Sequence, residues 1–420
     1  MIADASNDII NKLLPHQRSV IETYSASVRY IYLTAPAGAG KTTTAVALAL
    51  LNASRNPNAR ILMIAPARSL ITQYADRLKV AGLNTKLIDR YAYRNLIDTN
   101  HSSAIWPGGI TYGITTGLAA QSDVASTLFR TPWDLVVADE VRGPDTRNWA
   151  FLNQLLPSAA KALIITSTEH SHDTTESEAA NVIWNLNELV DHTGQSLAPN
   201  PPSIRTINFK ADLAREDSKL QIDKLPHVFA DAAASSPAAL ERAIESYLAR
   251  GSVEDEEQID TDAPSNPHKF ESDIRATLLS VEEHLAELIQ DRKASALLCL
   301  LKNRIRDNPC SRICVVTRFI STAYYLSSFI ETEGVAGLLA IGTSPIDDRR
   351  ENMHLFVDSP PPMVLITTSG AVTSEPALRQ VTDLIFYEAA QSSPQVDMIV
   401  GQANSIGRKD ELRIYEMKPD

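Results

Sequence analysis

The apolar positions of the chain fall into two alternating blocks. From about residue 28 to residue 168, short hydrophobic runs are followed by stretches of helical periodicity. YIYLTA (Tyr30–Ala35) leads through a glycine turn into KTTTAVALALLNA, which predicts a helix. RILMIAP (Arg60–Pro66) leads into RSLITQYADRLKVAG, where Leu70, Ile71, Tyr74 and Leu78 share one helical face. GITYGITT, DLVVAD and KALIITST predict three further strands. Alternation of this kind predicts a parallel sheet covered by helices on both faces.

A second block closes the chain: RICVVT, the helix STAYYLSSFIETEG, VAGLLAIG, the helix IDDRRENMHLFV, then MVLITT, DLIFYE and LRIYEM. Between the blocks the pattern weakens. LAPNPPS, the strand-like IRTINFKA and several helical segments precede GSVEDEEQIDTDAPSNP (Gly251–Pro267), an acidic run rich in turn formers that reads as a solvated linker. Helical text resumes from Phe270 to about Arg306. The expected organisation is α/β: an N-terminal lobe over 1–200, a helical, partly mobile insertion over 201–290, and a C-terminal lobe over 291–420.

Composition changes this picture little. At 420 residues the chain is long for one core, and 44% hydrophobic with 21% charged residues is globular. No apolar run reaches membrane-spanning length, and MIADASNDIINKL lacks the layout of a signal peptide. The 3 cysteines (Cys299, Cys310 and Cys314) make no disulfide framework, and Cys310 with Cys314 cannot complete a zinc site alone. A reducing, cytoplasmic setting is expected, without a membrane partner. The formal charge of -12 argues against a molecule whose main business is clamping a phosphodiester backbone.

Two motifs carry chemistry. APAGAGKTTT (Ala35–Thr44) reads as a phosphate-binding loop, with Ala35 where the general pattern has glycine. Gly38 and Gly40 let backbone N–H groups turn inward, and the helix from about Lys41 directs its positive end at the anion. Ala37, Gly38, Ala39, Gly40, Lys41, Thr42 and Thr43 form the expected cradle. Lys41 would reach the β- and γ-phosphates, and Thr42 would ligate Mg2+. WDLVVADEVRG (Trp133–Gly143) supplies paired carboxylates at a strand end. Asp139 would hold Mg2+ through water, and Glu140 would orient and deprotonate the attacking water.

With these residues the chain resembles the superfamily-two helicases, in particular the Swi/Snf-like translocases, over nearly its whole length. LLPHQRSVIE resembles the helix whose Gln, here Gln17, reads the adenine edge. APARSLITQYADRL and GITYGITTGLA resemble segments that touch a nucleic-acid backbone, the first ending at Gln73. ITSTEH resembles the Thr/Ser element (Thr166, Ser167, Thr168) that links nucleotide state to lobe movement. RICVVTRF and AIGTSPIDDRRENMHLF match in order and spacing. The resemblance implies two RecA-like lobes with ATP and Mg2+ between them, and nucleic acid as partner, DNA ahead of RNA. The acidic surface adds the expectation of weak, salt-sensitive binding helped by a partner protein.

Departures from the pattern matter as much. Arg142 replaces the His or Asp that closes the Asp-Glu-x-x motif, and TSGAVTSEPALRQ keeps only Gly370 of a glycine-rich sensor. In PQVDMIVGQANSIGRKDELRIYEM, the family's two arginine positions fall on Gln402 and Ser405; a shifted register makes Arg408 the surviving finger. Arg379 and the Arg349–Arg350 pair are further substitutes. Loss of such a finger removes about 10³–10⁵ in kcat. The second reading is therefore a nucleotide-gated interaction subunit with negligible turnover. His170 and His172 read as a polar loop, the acidic Glu254–Glu257 as solvated linker, and Trp106, Trp133, Trp149 and Trp184 as ordinary packing.

Overall fold

Pro15 opens α1 (Pro15–Ser25), where its fixed φ and missing N–H suit the first helical position. β1 (Tyr30–Thr34) follows, then α2 (Lys41–Arg55), whose Ala and Leu residues favour helix. The first unit continues with β2 (Arg60–Ala65), α3 (Arg68–Val80), β3 (Thr85–Ile88), α4 (Arg90–Thr99) and β4 (Ile110–Thr115). After these come α5 (Ser122–Phe129), β5 (Trp133–Ala138), α6 (Arg147–Leu155), β6 (Ala159–Thr166) and β7 (Ala179–Ile183). Its seven strands lie in the order β3-β4-β2-β5-β6-β1-β7, and every pairing is parallel.

Successive strand residues face opposite sides of the sheet, and both sides are apolar. Ile31, Leu33, Ile61 and Met63 join a core with Leu48 and Leu50 of α2 and Leu78 of α3. Tyr30, Leu62 and Ile64 join the opposite core. There Trp106 packs edge-on to Tyr112 at 5.0 Å and tilted against Trp133 at 5.7 Å. Burial of each Leu or Ile in such a layer contributes roughly 1.5–3 kcal/mol.

This computed structural model describes residues 9–25, 28–36, 38–66, 68–99, 105–139, 147–166, 179–209, 226–250, 252–253, 268–269, 274–285, 291–372, 376–388 and 394–419. They divide into two units: one runs to Pro199 and takes in Ser405–Gly407, and the other holds the remaining described chain from Asn200.

The second unit begins with β8 (Ser203–Phe209), α7 (His227–Ser235), α8 (Pro237–Arg250) and α9 (Arg275–Leu285). It goes on through α10 (Arg292–Asp307), β9 (Arg312–Thr317), α11 (Ile320–Thr332), β10 (Gly337–Ala340) and α12 (Ile346–Asp358). β11 (Met363–Thr368), β12 (Asp383–Phe386), α13 (Pro394–Ala403) and β13 (Arg413–Pro419) complete it. Its sheet is again all parallel, in the order β10-β11-β9-β12-β13-β8. Both units are thus parallel sheets flanked by helices. The strand-like run in the middle of the chain becomes β8, an edge strand paired with β13. Helices α7, α8 and α9 share an apolar cluster of their own around Phe229, Leu240, Ile244 and Leu278. Of the acidic stretch 251–267, all but Ser252 and Val253 lies outside the described residues.

Lys293, at the start of α10, ties this helical group to the sheet. Its Nζ donates to the carbonyls of Ala234 at 2.6 Å and Ser235 at 3.2 Å, at the negative end of α7, and lies 4.1 Å from the Tyr387 ring centre. Burial pulls its pKa from 10.5 down to about 8, with Glu388 and Asp291 pulling it back up. Below that value the folded chain buries a charged ammonium, whereas the unfolded lysine stays protonated up to its ordinary value. Between the two, the unfolded state binds more protons, so this residue's contribution to stability rises with pH. From about pH 7 to about pH 9 the wild type should gain about 1 kcal/mol of unfolding free energy relative to Lys293→Met, measured by denaturant titration.

Candidate functional site

The loop between β1 and α2 leaves the sheet where Ala35 N–H donates to the Thr166 carbonyl at the end of β6, at 3.0 Å. Gly38 (φ 77°) and Gly40 (φ 89°) both adopt left-handed backbone, which side chains disfavour. At Gly40 there is a second reason for glycine: a Cβ would collide with the Gln17 side-chain amide.

Two neighbouring residues of α1 hold the loop. His16 Nε2–H donates to the Ala39 carbonyl at 3.2 Å, and Gln17 Nε2–H donates to the Gly40 carbonyl at 3.4 Å. Gln17 Oε1 in turn accepts from Leu14 N–H at 3.0 Å, fixing the amide orientation. A trans peptide directs its C=O and the following N–H to opposite sides. Fixing these carbonyls on α1 therefore aims the Gly40 and Lys41 N–H groups away from α1, as an anion cradle requires. The His16 ring also stands edge-on to Trp184, with centres 4.6 Å apart. Burial lowers the His16 pKa and favours the neutral ring, outweighing the Ala39 bond, which acts to raise it. Trp184 is itself placed by its backbone N–H, which donates to the Thr34 carbonyl at the end of β1, at 2.8 Å.

Asp139 follows β5 and is only 4% exposed. Its N–H donates to the Ile64 carbonyl at 2.8 Å, and its Oδ2 accepts from the Tyr74 hydroxyl at 2.5 Å. One turn along α3, Arg77 Nη1–H donates to Thr43 Oγ1 at 3.4 Å. A single face of α3 therefore touches both the first turn of α2 and the strand-end carboxylate. Lys41, Thr42 and Thr43 occupy that first turn, half-buried. Gly38, Ala39, Gly40, Lys41, Thr42, Thr43, Gln17 and Asp139 are thus gathered within the first unit near the carboxyl ends of β1 and β5, the two strands that flank β6, the end at which open parallel sheets bind ligands. Ala37, Glu140, Arg142, Ser167, Thr168, His170 and His172 lie outside the described residues.

The sequence reading did not anticipate His16, Tyr74 or Arg77. Tyr74 carried an ambiguous signal, since its place on the apolar face of α3 marks it as core, which by burial it also is.

In the second unit, Gln402 is half-buried in α13. The Arg408 guanidinium is committed to backbone carbonyls: Nε to Asp410 at 2.8 Å, Nη1 to Ala403 at 2.9 Å and Arg379 at 3.3 Å, and Nη2 to Val381 at 2.7 Å. The bond to Ala403 caps the last turn of α13, where carbonyls lack helical partners. Burial lowers the Arg408 pKa, with Asp410 and Asp383 opposing.

Comparison with known proteins finds a family likeness confined to the first unit. Residues 14–141 match the DEAD/DEAH box helicase family. Among solved structures, the fold is similar to S. cerevisiae Dbp5 bound to RNA and ADP BeF3, with a TM-score of 0.57 and 13% identity over 97% of this chain and 84% of that one. It is also similar to the DEAD-box helicase Mss116 bound to ssRNA and UDP-BeF, with a TM-score of 0.55 and 12% identity over 96% and 69%. The Pyrococcus furiosus Hef helicase domain aligns over 97% and 96% at 14% identity, with a TM-score of 0.49. No curated protein matches.

Proposed function

We propose that this chain is a nucleic-acid-dependent ATPase of the helicase or translocase kind. The observation that carries the reading is the glycine loop held from behind by His16 and Gln17, with a buried Asp139 tied through one helix to the same loop. The residues suit magnesium nucleotide. Left-handed glycines make room for an anion, Lys41 offers a cation, and Thr42 with Asp139 offers the hard oxygen donors Mg2+ prefers. In this reading Gln17, whose amide also bonds Leu14 and Gly40, contacts the base with its remaining N–H. Glu140, the next residue after Asp139, is the general base. Bound there, Mg2+ neutralises charge on the phosphates. The match at residues 14–141 and the fold shared with Dbp5 and Mss116 support the same class. Those two were solved with RNA, which sets RNA beside the DNA suggested by the likeness to Swi/Snf-like translocases.

Steady-state ATP turnover, measured alone and with single-stranded DNA, double-stranded DNA or RNA, tests the reading. At least one nucleic acid is expected to raise turnover. Tight ATP binding with no stimulation by any of them would instead support a nucleotide-gated interaction subunit.

That second reading draws on Gln402 and Ser405 at the expected arginine positions and on the engagement of Arg408. Arg408 serves as a brace rather than a finger. Arg408→Ala is expected to destabilise the second unit by about 1.5–3 kcal/mol, through loss of a charged donor to buried carbonyls. Turnover of the folded variant should fall far less than the roughly 10³–10⁵-fold loss of a true finger. Melting and turnover of one sample decide the matter.

A further inference from the structure

We propose that Tyr74 is a positioning residue for the metal ligand Asp139, making α3 a brace that sets the geometry of the metal side of the site. The inference deepens the nucleotide reading and rests on Asp139 as the Mg2+ ligand.

Tyr74 is 1% exposed and Asp139 4%. The phenol O–H donates to Oδ2 at 2.5 Å, in the range of a charge-assisted bond to a carboxylate. A hydrogen bond to one carboxylate oxygen restricts rotation of the group and so the direction from which it meets a metal. Outer partners of this kind orient metal ligands and tune their affinity. Arg77 extends the same face of α3 to Thr43 Oγ1, beside the proposed ligand Thr42. The helix is seated closely on the sheet at Gly113 of β4, where a Cβ would come within 2.7 Å of Ile71 Cγ2. Ile71, Tyr74 and Leu78 thus anchor the helix while Tyr74 and Arg77 reach the site. A shift of α3 moves both contacts together.

The test is binding of a fluorescent ATP analogue, titrated with Mg2+, to wild type, Tyr74→Phe and Asp139→Asn. Tyr74→Phe removes one oxygen and keeps the ring. It is expected to raise the Mg2+ concentration for half-maximal effect by about 10-fold or more, while affinity in EDTA stays at the wild-type value. If wild type shows no Mg2+ dependence, or Asp139→Asn behaves as wild type, the metal-site reading itself has failed. If Asp139→Asn loses the dependence but Tyr74→Phe follows the wild-type curve, the role of Tyr74 is overturned. Equal weakening of Tyr74→Phe with and without metal also overturns it, since that is a packing defect.

Discussion

Asp383→Ala is expected to lower the stability of the second unit by about 3–5 kcal/mol, because it leaves a largely buried guanidinium with only the exposed Asp307, at 4.0 Å, as counter-charge among the described residues. Asp383, at the amino end of β12, is fully buried. It accepts from Arg304 Nε at 2.7 Å, from Thr382 Oγ1 at 2.6 Å and from the Tyr415 hydroxyl at 3.4 Å, with Arg413 at 3.9 Å. Burial works to lower the Arg304 pKa, yet the hydrogen bond and charge of Asp383 outweigh it, and the net shift is upward. The Arg304 side chain is only 12% exposed, so water replaces the lost carboxylate poorly. For a unit of this size the melting transition should move down by roughly 6–20 °C. The double variant Arg304→Met/Asp383→Leu should recover most of the loss, since apolar pairs often substitute well for buried ion pairs. Asp383→Ala melting with the wild type would show that water reaches the pair. The cluster lies at the amino ends of the strands, away from the end that binds ligands, so nucleotide affinity of the folded variant is expected to be kept.

Much of the architecture was legible because central parallel strands are apolar on both faces. Runs such as Ile61–Ala65, Leu135–Ala138 and Val364–Ile366 have no other comfortable place. The edges were harder. β3 is four residues long, and β7 is half-exposed with Asn181 among apolar residues, so neither gives a periodic signal. β8 was visible as a strand, but its membership in the second sheet was not: pairing with β13 joins residues about two hundred positions apart. Local pattern records what a segment is and says little about distant partners.

The site shows the same division. Gly38 and Gly40 were readable because left-handed backbone and close approach both demand glycine. Asp139 was readable as a carboxylate after an apolar strand. His16 and Tyr74 were hidden, since a histidine before Gln17 and a tyrosine on an apolar helix face are ordinary until the loop and strand end fold against them. Arg408 shows the converse limit. An arginine near a degenerate motif invites a catalytic role, and only the positions of the Arg379, Val381 and Ala403 carbonyls reveal what else it can do.

Glu140→Gln and Lys41→Ala should separate in a way that distinguishes a motor from a binding subunit. The amide at 140 keeps the shape of the side chain and loses the proton acceptor. Turnover should fall by about 10²–10⁴-fold, the usual worth of a general base, while affinity for Mg2+·ATP is preserved. A change confined to kcat marks an interaction made only in the transition state. Lys41→Ala removes the ammonium from bound phosphates as well as from the transition state, so affinity and turnover both fall. Nucleic-acid stimulation should vanish in both variants while nucleic-acid binding by Glu140→Gln persists, because phosphodiester contacts do not depend on the acceptor. In a nucleotide-gated subunit the pattern differs. Wild type already hydrolyses at the rate of Glu140→Gln, and only Lys41→Ala differs from it, through weaker nucleotide binding. Stimulated turnover in Glu140→Gln equal to wild type would remove this carboxylate from the mechanism.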